Sequence, residues 1–201
     1  YQQSKSILEK IKRSERILLN CHRGPDPDAF GSALAMYQVL KKMRKKVAVI
    51  CPSELPKSLQ FLACSEKIKV VDFSNYDFSK FDLFIILDSA SWQMVSGNKD
   101  MKIPDLFLIV IDHHKTNEKF GKINLVDAGV SSVGELLYLI FEDWKVEIDR
   151  NIATALLSGI IGDTGVFRFS NTSLETMEVV TKLLKQGADR EKIIFHLYHN
   201  L

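Results

Sequence analysis

The sequence is organised around one stretch, Phe107-Leu108-Ile109-Val110-Ile111-Asp112-His113-His114, in which an apolar run leads directly into a carboxylate and two imidazoles. A short apolar run of this kind is typical of a strand buried on both faces of a sheet. Two further runs end in the same way: Ile17-Leu18-Leu19-Asn20-Cys21 before His22, and Leu83-Phe84-Ile85-Ile86-Leu87 before Asp88. We therefore expect three strands to carry His and Asp side chains to one edge of a sheet.

The composition is that of an ordinary globular protein. The 201 residues are 46% hydrophobic and 26% charged, and the net charge is only +2. This length fits one sizeable domain, and so small a net charge gives no broad basic surface for duplex DNA or an anionic membrane. No apolar run approaches the ~20 residues that a membrane span needs, and no signal peptide is evident. The cysteines, Cys21, Cys51 and Cys64, are sparse and lack CxxC spacing. Reduced thiols in a cytoplasmic protein are the favoured interpretation, with a disulfide or zinc knuckle as the alternative.

Strand and helix patterns alternate along the chain. Apolar runs predict strands over 16–21, 47–51, 68–71, 82–87 and 107–111, and helical spacing predicts helices over 4–12, 29–43, 57–63, 133–144, 152–161, 174–185 and 191–198. Strands joined by helical segments indicate an α/β fold, a mainly parallel, doubly wound sheet with helices on both faces. We expect a single domain over 1–201, with a core over about 4–187 and a terminal helix over 189–201.

Local signals refine the helix boundaries. Asp28 is predicted to be the N-cap of the helix over 29–43, and Asp189 to cap the terminal helix. Gly31 and its small neighbours should let another backbone approach that first helix closely. Gly162-Asp163-Thr164-Gly165 is expected to break a helix, and Val166–Phe169 alternates like a short strand. The basic run over 41–46 is expected to be a solvated helix end, with a binding patch as the alternative.

The polar residues after the strands have ordinary alternatives to a functional role. Asp26 and Asp28, held in a turn stiffened by Pro25 and Pro27, could simply form a turn and a helix cap. Asp88 could cap the helix that follows, although a carboxylate directly after an apolar run is expensive to bury. Asp163 could be a turn residue. Together these residues indicate a binding site, because ligands bind at the carboxyl ends of parallel strands.

The ligand types indicate hard divalent cations. Several Asp with one or two His favour octahedral Mn²⁺ or Mg²⁺ over zinc. Two such cations would balance the charges of the four carboxylates, which would otherwise repel one another: Asp26, Asp28, Asp88 and Asp163. A pair of metals a few Å apart can activate a hydroxide and hold a phosphate for in-line attack.

These stretches resemble the four motifs of the DHH phosphoesterase superfamily, in order and over nearly the whole chain. The motifs are His22-Arg23-Gly24-Pro25-Asp26-Pro27-Asp28-Ala29-Phe30-Gly31-Ser32, Leu87-Asp88-Ser89-Ala90, Ile111-Asp112-His113-His114 and Gly162-Asp163-Thr164-Gly165. Within that superfamily, the chain resembles the RecJ-like bacterial oligoribonuclease and 3′-phosphoadenosine-5′-phosphate phosphatase group, the NrnA type. Ser131–Glu135 and Val166–Thr172 also resemble stretches of this group.

The resemblance implies a role for each motif residue. One Mn²⁺ would be held by His22, Asp26 and a bridging Asp88, and Mg²⁺ could replace it. A second would be held by Asp28, Asp88, His113 and Asp163.

Three further residues would have roles other than metal ligation. Asp112 would orient an imidazole, and His114 would stabilise the scissile phosphate or act as general acid. Arg168 would bind a phosphate, with a solvated side chain as the alternative. The substrate would be short single-stranded RNA, a linear dinucleotide or 3′-phosphoadenosine-5′-phosphate. The sequence leaves a homodimer open.

One departure from the group concerns its second, C-terminal domain, which carries a Gly-Gly-rich, His-containing motif that grips the substrate. No such motif occurs before Leu201. We expect an N-terminal domain of a longer protein or an unusually short family member, and in either case weaker substrate binding.

Two other functions stay open at this stage. An inorganic pyrophosphatase or exopolyphosphatase shares the same motifs, and a non-catalytic nucleotide-binding module would need no turnover. A dinucleotide dehydrogenase is disfavoured, since Gly24 and Gly31 do not form GxGxxG.

Overall fold

A computed structural model describes residues 1–199 of the chain. Its strands are β1 (Arg16–Asn20), β2 (Lys46–Cys51), β3 (Ile68–Val70), β4 (Leu83–Leu87), β5 (Leu108–Asp112) and β6 (Ile123–Val126). They form one sheet in the order β3-β2-β1-β4-β5-β6, and every pair of neighbours is parallel. The predicted α/β class is therefore confirmed. The sequence pattern missed β6, a half-buried edge strand.

The helices are α1 (Gln2–Arg13), α2 (Pro27–Lys42), α3 (Trp92–Ser96), α4 (Val133–Asp143), α5 (Arg150–Asp163), α6 (Leu174–Lys185) and α7 (Arg190–Ile194). Asp189 caps α7 as predicted, and a π-helical segment, Phe195–His199, follows it. The predicted terminal helix extends to Asn200 and Leu201, which lie outside the described residues. Within the described residues, no helix is long and apolar enough to cross a membrane.

The two faces of the sheet are buried in different ways. On one face, α1, α2, α4, α5 and α6 pack into the larger core. The other face is covered by α3 and by short 3₁₀ turns whose aromatic side chains pack there, Phe73 on Trp92 and Phe78 on Phe84. Because both faces are covered, strands β4 and β5 are fully buried. Their sequences are therefore almost unbroken runs of apolar residues.

Helices α2 and α5 lie unusually close together. A Cβ added to Gly31 of α2 would overlap the carbonyl oxygen of Ala155 in α5. A Cβ on Gly162 would come within 2.8 Å of Pro27. The prediction that Gly31 permits close approach of another backbone is thus confirmed. The contact places the start of α2 beside the end of α5, which brings Asp28 towards Asp163.

The helix break predicted at Gly162-Asp163-Thr164-Gly165 is confirmed, because α5 ends at Asp163 with Thr164 as its C-cap. Two other local predictions were wrong. The helix predicted over 57–63 is a 3₁₀ turn, Lys57–Leu59. Val166–Phe169 is not a strand, because Gly165, Val166 and Phe167 take left-handed conformations in succession, with φ of 55°, 59° and 65°. The Thr164 hydroxyl stabilises this turn by accepting the Phe167 N–H and donating to Ile160 O.

Candidate metal centre

The candidate site lies where the direction of the sheet topology reverses. The chain moves from β1 outward to β2 and β3, then returns to β4 on the other side of β1. Parallel sheets leave a crevice at such a point, outside the carboxyl ends of the strands. His22 and Asp26 follow β1, and Asp88 follows β4. The structure therefore brings these residues to the sheet edge that the sequence predicted.

The first cluster consists of His22, Asp26 and Asp88. His22 Nε2 lies 3.8 Å from Asp26 Oδ2 and 3.5 Å from Asp88 Oδ2. The other ring nitrogen, Nδ1, lies 3.0 Å from the main-chain oxygen of Arg23, to which it can donate. That contact orients the ring so that Nε2 faces the carboxylates, and Nε2 is the nitrogen that would bind a metal.

Asp26 has two roles in this arrangement. Its Oδ1 accepts the main-chain N–H groups of Asp28 and Ala29, while Oδ2 faces His22. Asp26 is therefore the N-cap of α2, and the prediction that Asp28 caps this helix was wrong. Pro27 occupies the first helical position, where its missing N–H costs nothing. The cap fixes the Asp26 carboxylate beside the first cluster.

The second cluster consists of Asp28, His113 and Asp163, with one ligand atom from each within 4.8 Å of the others. His113 Nε2 lies 3.3 Å from Asp163 Oδ2 and 3.6 Å from Asp88 Oδ1. Asp88 thus faces both clusters, one oxygen towards His22 and the other towards His113. A shared carboxylate of this kind fits the bridging role implied for Asp88.

Asp28 accepts hydrogen bonds from the first turn of a helix that begins 105 residues later in the chain and whose N-cap is Ser132. Its Oδ2 accepts Val133 N–H at 2.6 Å and its Oδ1 accepts Gly134 N–H at 2.8 Å, both in the first turn of α4. Ser32 donates a further hydrogen bond at 3.2 Å. The residue is fully buried, and a Cβ on Gly159 would overlap its carboxylate. Helix α4 therefore holds Asp28 rigidly beside His113 and Asp163.

The polar residues of the third motif, Asp112, His113 and His114, have different contacts. His113 belongs to the second cluster, and Asp112 bonds to His114 beside it. His114 Nδ1 lies 2.7 Å from Asp112 Oδ1, and Asp112 Oδ2 accepts a hydrogen bond of 2.6 Å from Asn117. Asp112 thus orients the His114 ring and leaves Nε2 of that ring free. His114 is also grouped with Asp88 and His113 as a set that could hold a metal ion, so the geometry alone leaves its predicted role untested.

The carboxylates strongly influence one another's ionisation. Burial, with the charges of Asp88 and Asp163, raises the pKa of Asp28 well above its usual value. Burial and the charges of Asp88 and Asp26 raise the pKa of Asp163 to about 8. Burial opposes protonation of His22, but its hydrogen bonds to Asp26 and Asp88 raise its pKa to about 11. So much negative charge in one crevice favours a cation, which would relieve the repulsion.

Two buried polar atoms of this site lack a hydrogen-bond partner: Asp88 Oδ1 and His113 Nε2. An unpaired buried polar atom costs about 1–3 kcal/mol, and a native protein keeps one only for a reason. Asp88 also has a left-handed backbone, φ of 51°, while being 1% exposed. A cation between these two atoms would satisfy both. The residues present therefore fit a metal centre.

Arg168 lies apart from these clusters. It is exposed on the left-handed turn after α5, where its Nε donates to Gly165 O at 2.7 Å. That contact uses one of its donors and leaves the terminal nitrogens for another partner. Its predicted phosphate contact stays a prediction.

Sequence reasoning overlooked two asparagines beside the site, Asn20 and Asn117. Asn20 is fully buried at the end of β1 and bonds to the main chain around Asp88. Asn117 donates to Ser89 O at 3.1 Å as well as to Asp112. A polar amide at the end of an apolar strand was the available signal for Asn20.

All three cysteines are free thiols, as expected.

Comparison with known proteins places the chain in a family. Residues 16–160 match the model of the "DHH family, N-terminal domain". The chain belongs to this family, and the NrnA-type resemblance inferred from its motifs is confirmed.

The relatives are longer than this chain. It is 32% identical over 191 residues to the bifunctional oligoribonuclease and PAP phosphatase NrnA of Thermus thermophilus, covering 93% of this chain and 55% of the relative. The protein of the same name from Bacillus subtilis is 28% identical, with 96% and 60% covered. A solved exopolyphosphatase-related protein from Bacteroides fragilis superposes with a TM-score of 0.90 at 25% identity, over 98% of this chain and 60% of that one. The chain thus spans little more than half the length of these relatives.

Proposed function

We propose that this chain is the catalytic domain of a divalent-metal-dependent phosphoesterase that hydrolyses short oligoribonucleotides, linear dinucleotides or 3′-phosphoadenosine-5′-phosphate. The observation that carries the proposal is the Asp88 carboxylate, whose two oxygens face His22 on one side and His113 on the other. Two relatives named as oligoribonuclease and PAP phosphatase support the substrate class.

In the proposed hydrolysis, one set of residues would hold the metal ions. A bound pair of divalent cations supplies a water of lowered pKa and neutralises phosphate charge. His22, Asp26 and Asp88 would hold one cation, and Asp28, Asp88, His113 and Asp163 the other. Mn²⁺ is the metal we propose, with Mg²⁺ as a substitute, because aspartates dominate the ligand set.

The leaving group and the substrate phosphate meet a different set of side chains. When a water oxygen attacks phosphorus, that water releases one proton to solvent, the bond from phosphorus to the leaving oxygen breaks, and the leaving oxygen takes a proton from His114. Asp112 and Asn117 hold the His114 ring in place for this transfer. Its hydrogen bond to Asp112 raises the pKa of His114 to about 9, which keeps a proton available. Arg168 would bind a non-bridging phosphate oxygen.

Other features of the proposal concern partners and location. A net charge of +2 gives little attraction for duplex DNA, so a short single strand or a small nucleotide is the preferred partner. We propose a cytoplasmic location because the cysteines are free and sparse. A homodimer would be decided by sedimentation of the purified chain.

The test is a hydrolysis panel with Mn²⁺ on the purified chain. Its substrates are a diribonucleotide, 3′-phosphoadenosine-5′-phosphate, pyrophosphate and polyphosphate. We expect hydrolysis of the first two, and its loss in Asp88→Asn. Phosphate release from pyrophosphate or polyphosphate alone would replace the proposal with the pyrophosphatase or exopolyphosphatase alternative. Nucleotide binding without any hydrolysis would favour the binding module.

A further inference from the structure

Asn20 closes a gap between two strands beside Asp88. Main-chain pairing between β1 and β4 ends at Leu19 and Ile85. Beyond that point β1 continues with β2, since Cys21 N–H bonds to Ile50 O. Residue Leu87 of β4 still directs its main-chain groups towards β1, where no main-chain partner remains. The carboxamide of Asn20 takes that place.

The Asn20 carboxamide forms two hydrogen bonds with the main chain of Leu87, and we call this arrangement the Asn20 clasp. Leu87 N–H donates to Asn20 Oδ1 at 2.7 Å, and Asn20 Nδ2 donates to Leu87 O at 3.3 Å. The same Nδ2 lies 3.1 Å from Ser89 Oγ, whose hydroxyl donates to Leu87 O at 3.0 Å. Asn20 therefore forms hydrogen bonds with Leu87 and Ser89, the residues on either side of Asp88. All of these groups are buried, so water cannot replace the lost bonds.

The other side of Asp88 is held as well. Asp88 N–H donates to Ile111 O at 3.1 Å, and Asn117 donates to Ser89 O. Asp88 is thus a left-handed residue fixed from both neighbouring strands. A non-glycine left-handed residue is strained and persists only where its surroundings hold it. Without the Asn20 clasp, the β1 side of Asp88 is released.

We propose that Asn20 is a positioning residue for the metal centre: its side chain sets the backbone of Asp88 so that one carboxylate reaches both clusters. This inference rests on the proposed function for its catalytic consequence, but its structural part can be tested separately. Partners that orient metal ligands typically change metal affinity by about 10–100-fold when mutated.

The chain offers a matched control. Asn124 in β6 makes the same kind of clasp, accepting Gly121 N–H at 3.0 Å and donating to Gly121 O at 2.8 Å. Gly121 belongs to the loop before β6, and neither residue is in the metal clusters. Asn20→Ala and Asn124→Ala therefore remove the same kind of main-chain contact at different places, with Asn20 fully buried and Asn124 half-buried.

The experiment measures Mn²⁺ affinity by calorimetry and amide hydrogen exchange by NMR on the 201-residue chain. For Asn20→Ala we expect Mn²⁺ affinity about 10–100-fold weaker and several-fold faster exchange at Leu87 and Asp88. Asn124→Ala should keep the wild-type affinity. Wild-type affinity in Asn20→Ala, or equal losses in both variants, would make Asn20 a structural residue only and overturn the proposal.

Two further outcomes are also decisive. If Asn20→Ala does not fold, Ser89→Ala removes one acceptor of the clasp, and it should weaken Mn²⁺ binding several-fold; unchanged binding overturns the proposal. If the wild-type chain binds no Mn²⁺, the proposed function fails. The exchange rates at Leu87 and Asp88 then decide by themselves whether Asn20 positions Asp88.

Discussion

Asp88 combines several unusual features of the candidate site. It is buried, left-handed and partly unpaired, and its two oxygens face different histidines. Asp26, by contrast, faces only the first cluster, and its side chain is 49% exposed. These differences predict unequal costs when each carboxylate is converted to an amide.

We expect Asp88→Asn to weaken Mn²⁺ binding by more than about 100-fold, beyond the range typical of residues that merely orient ligands. Asparagine keeps the shape and tolerates the left-handed backbone, so the loss reports on ligation. Asp26→Asn should cost less, because it affects one cluster. Calorimetric titration of both variants checks this, and equal losses would contradict the bridging role.

The role of His114 can be separated from ligation. His114→Ala should keep metal content near the wild-type value while lowering kcat by about 10²–10⁴-fold, the usual contribution of a general acid. Elemental analysis of the dialysed variant, alongside single-turnover kinetics, checks both parts. Loss of metal in parallel with turnover would instead make His114 a ligand, which its proximity to Asp88 allows.

At the scale of elements, contact between α2 and α5 sets the distance between the first and fourth motifs. Gly31 packs on the main chain of Ala155, and Gly159 packs on Asp28. A main-chain carbonyl in a helix cannot move aside as a side-chain end can. The close approach of these helices is therefore a requirement for placing Asp28 beside Asp163.

Gly31→Ala should lower the free energy of unfolding by about 1–3 kcal/mol, the usual cost of overpacking a core. The matched control is Gly129→Ala, where a Cβ would meet only the Asp127 side chain at 3.1 Å. Urea denaturation of both variants measures the difference. Equal stability of Gly31→Ala and wild type would show that α2 and α5 can separate without cost.

At the scale of the whole molecule, the metal centre joins elements from opposite ends of the chain. Its candidate ligands follow β1, β4 and β5 and end α5. A cation bound between them should therefore stabilise the folded chain against unfolding as a unit, because the unfolded chain does not hold these ligands together.

Saturation at about 100 times the dissociation constant adds about 2.7 kcal/mol, which for a chain of this size raises Tm by roughly 5–10 °C. Calorimetry with Mn²⁺ and with excess chelator measures the shift. Asp88→Asn serves as the control and should show little response to Mn²⁺. A wild-type Tm that is the same in both conditions would argue against a bound cation.

The sequence alone determined the fold class and the identity of the candidate ligands. Apolar runs are local signals, and the polar residues after them must reach the same edge once the strands are parallel. Strands β1, β4 and β5 and the motif residues after them were predicted for this reason. Edge strand β6 was missed because a half-exposed strand lacks a continuous apolar run.

Only the tertiary structure decided how those ligands are held. Asp28 was expected to cap its own helix, yet its carboxylate binds N–H groups in the first turn of α4, 105 residues away. The turn after Asp163 was read as a strand, because alternating side chains do not reveal a left-handed backbone fixed by Thr164. Asn20 and Leu87 are 67 residues apart, and their clasp exists only because β1 and β4 diverge there. Contacts of this kind depend on which elements become neighbours, and no local pattern encodes that.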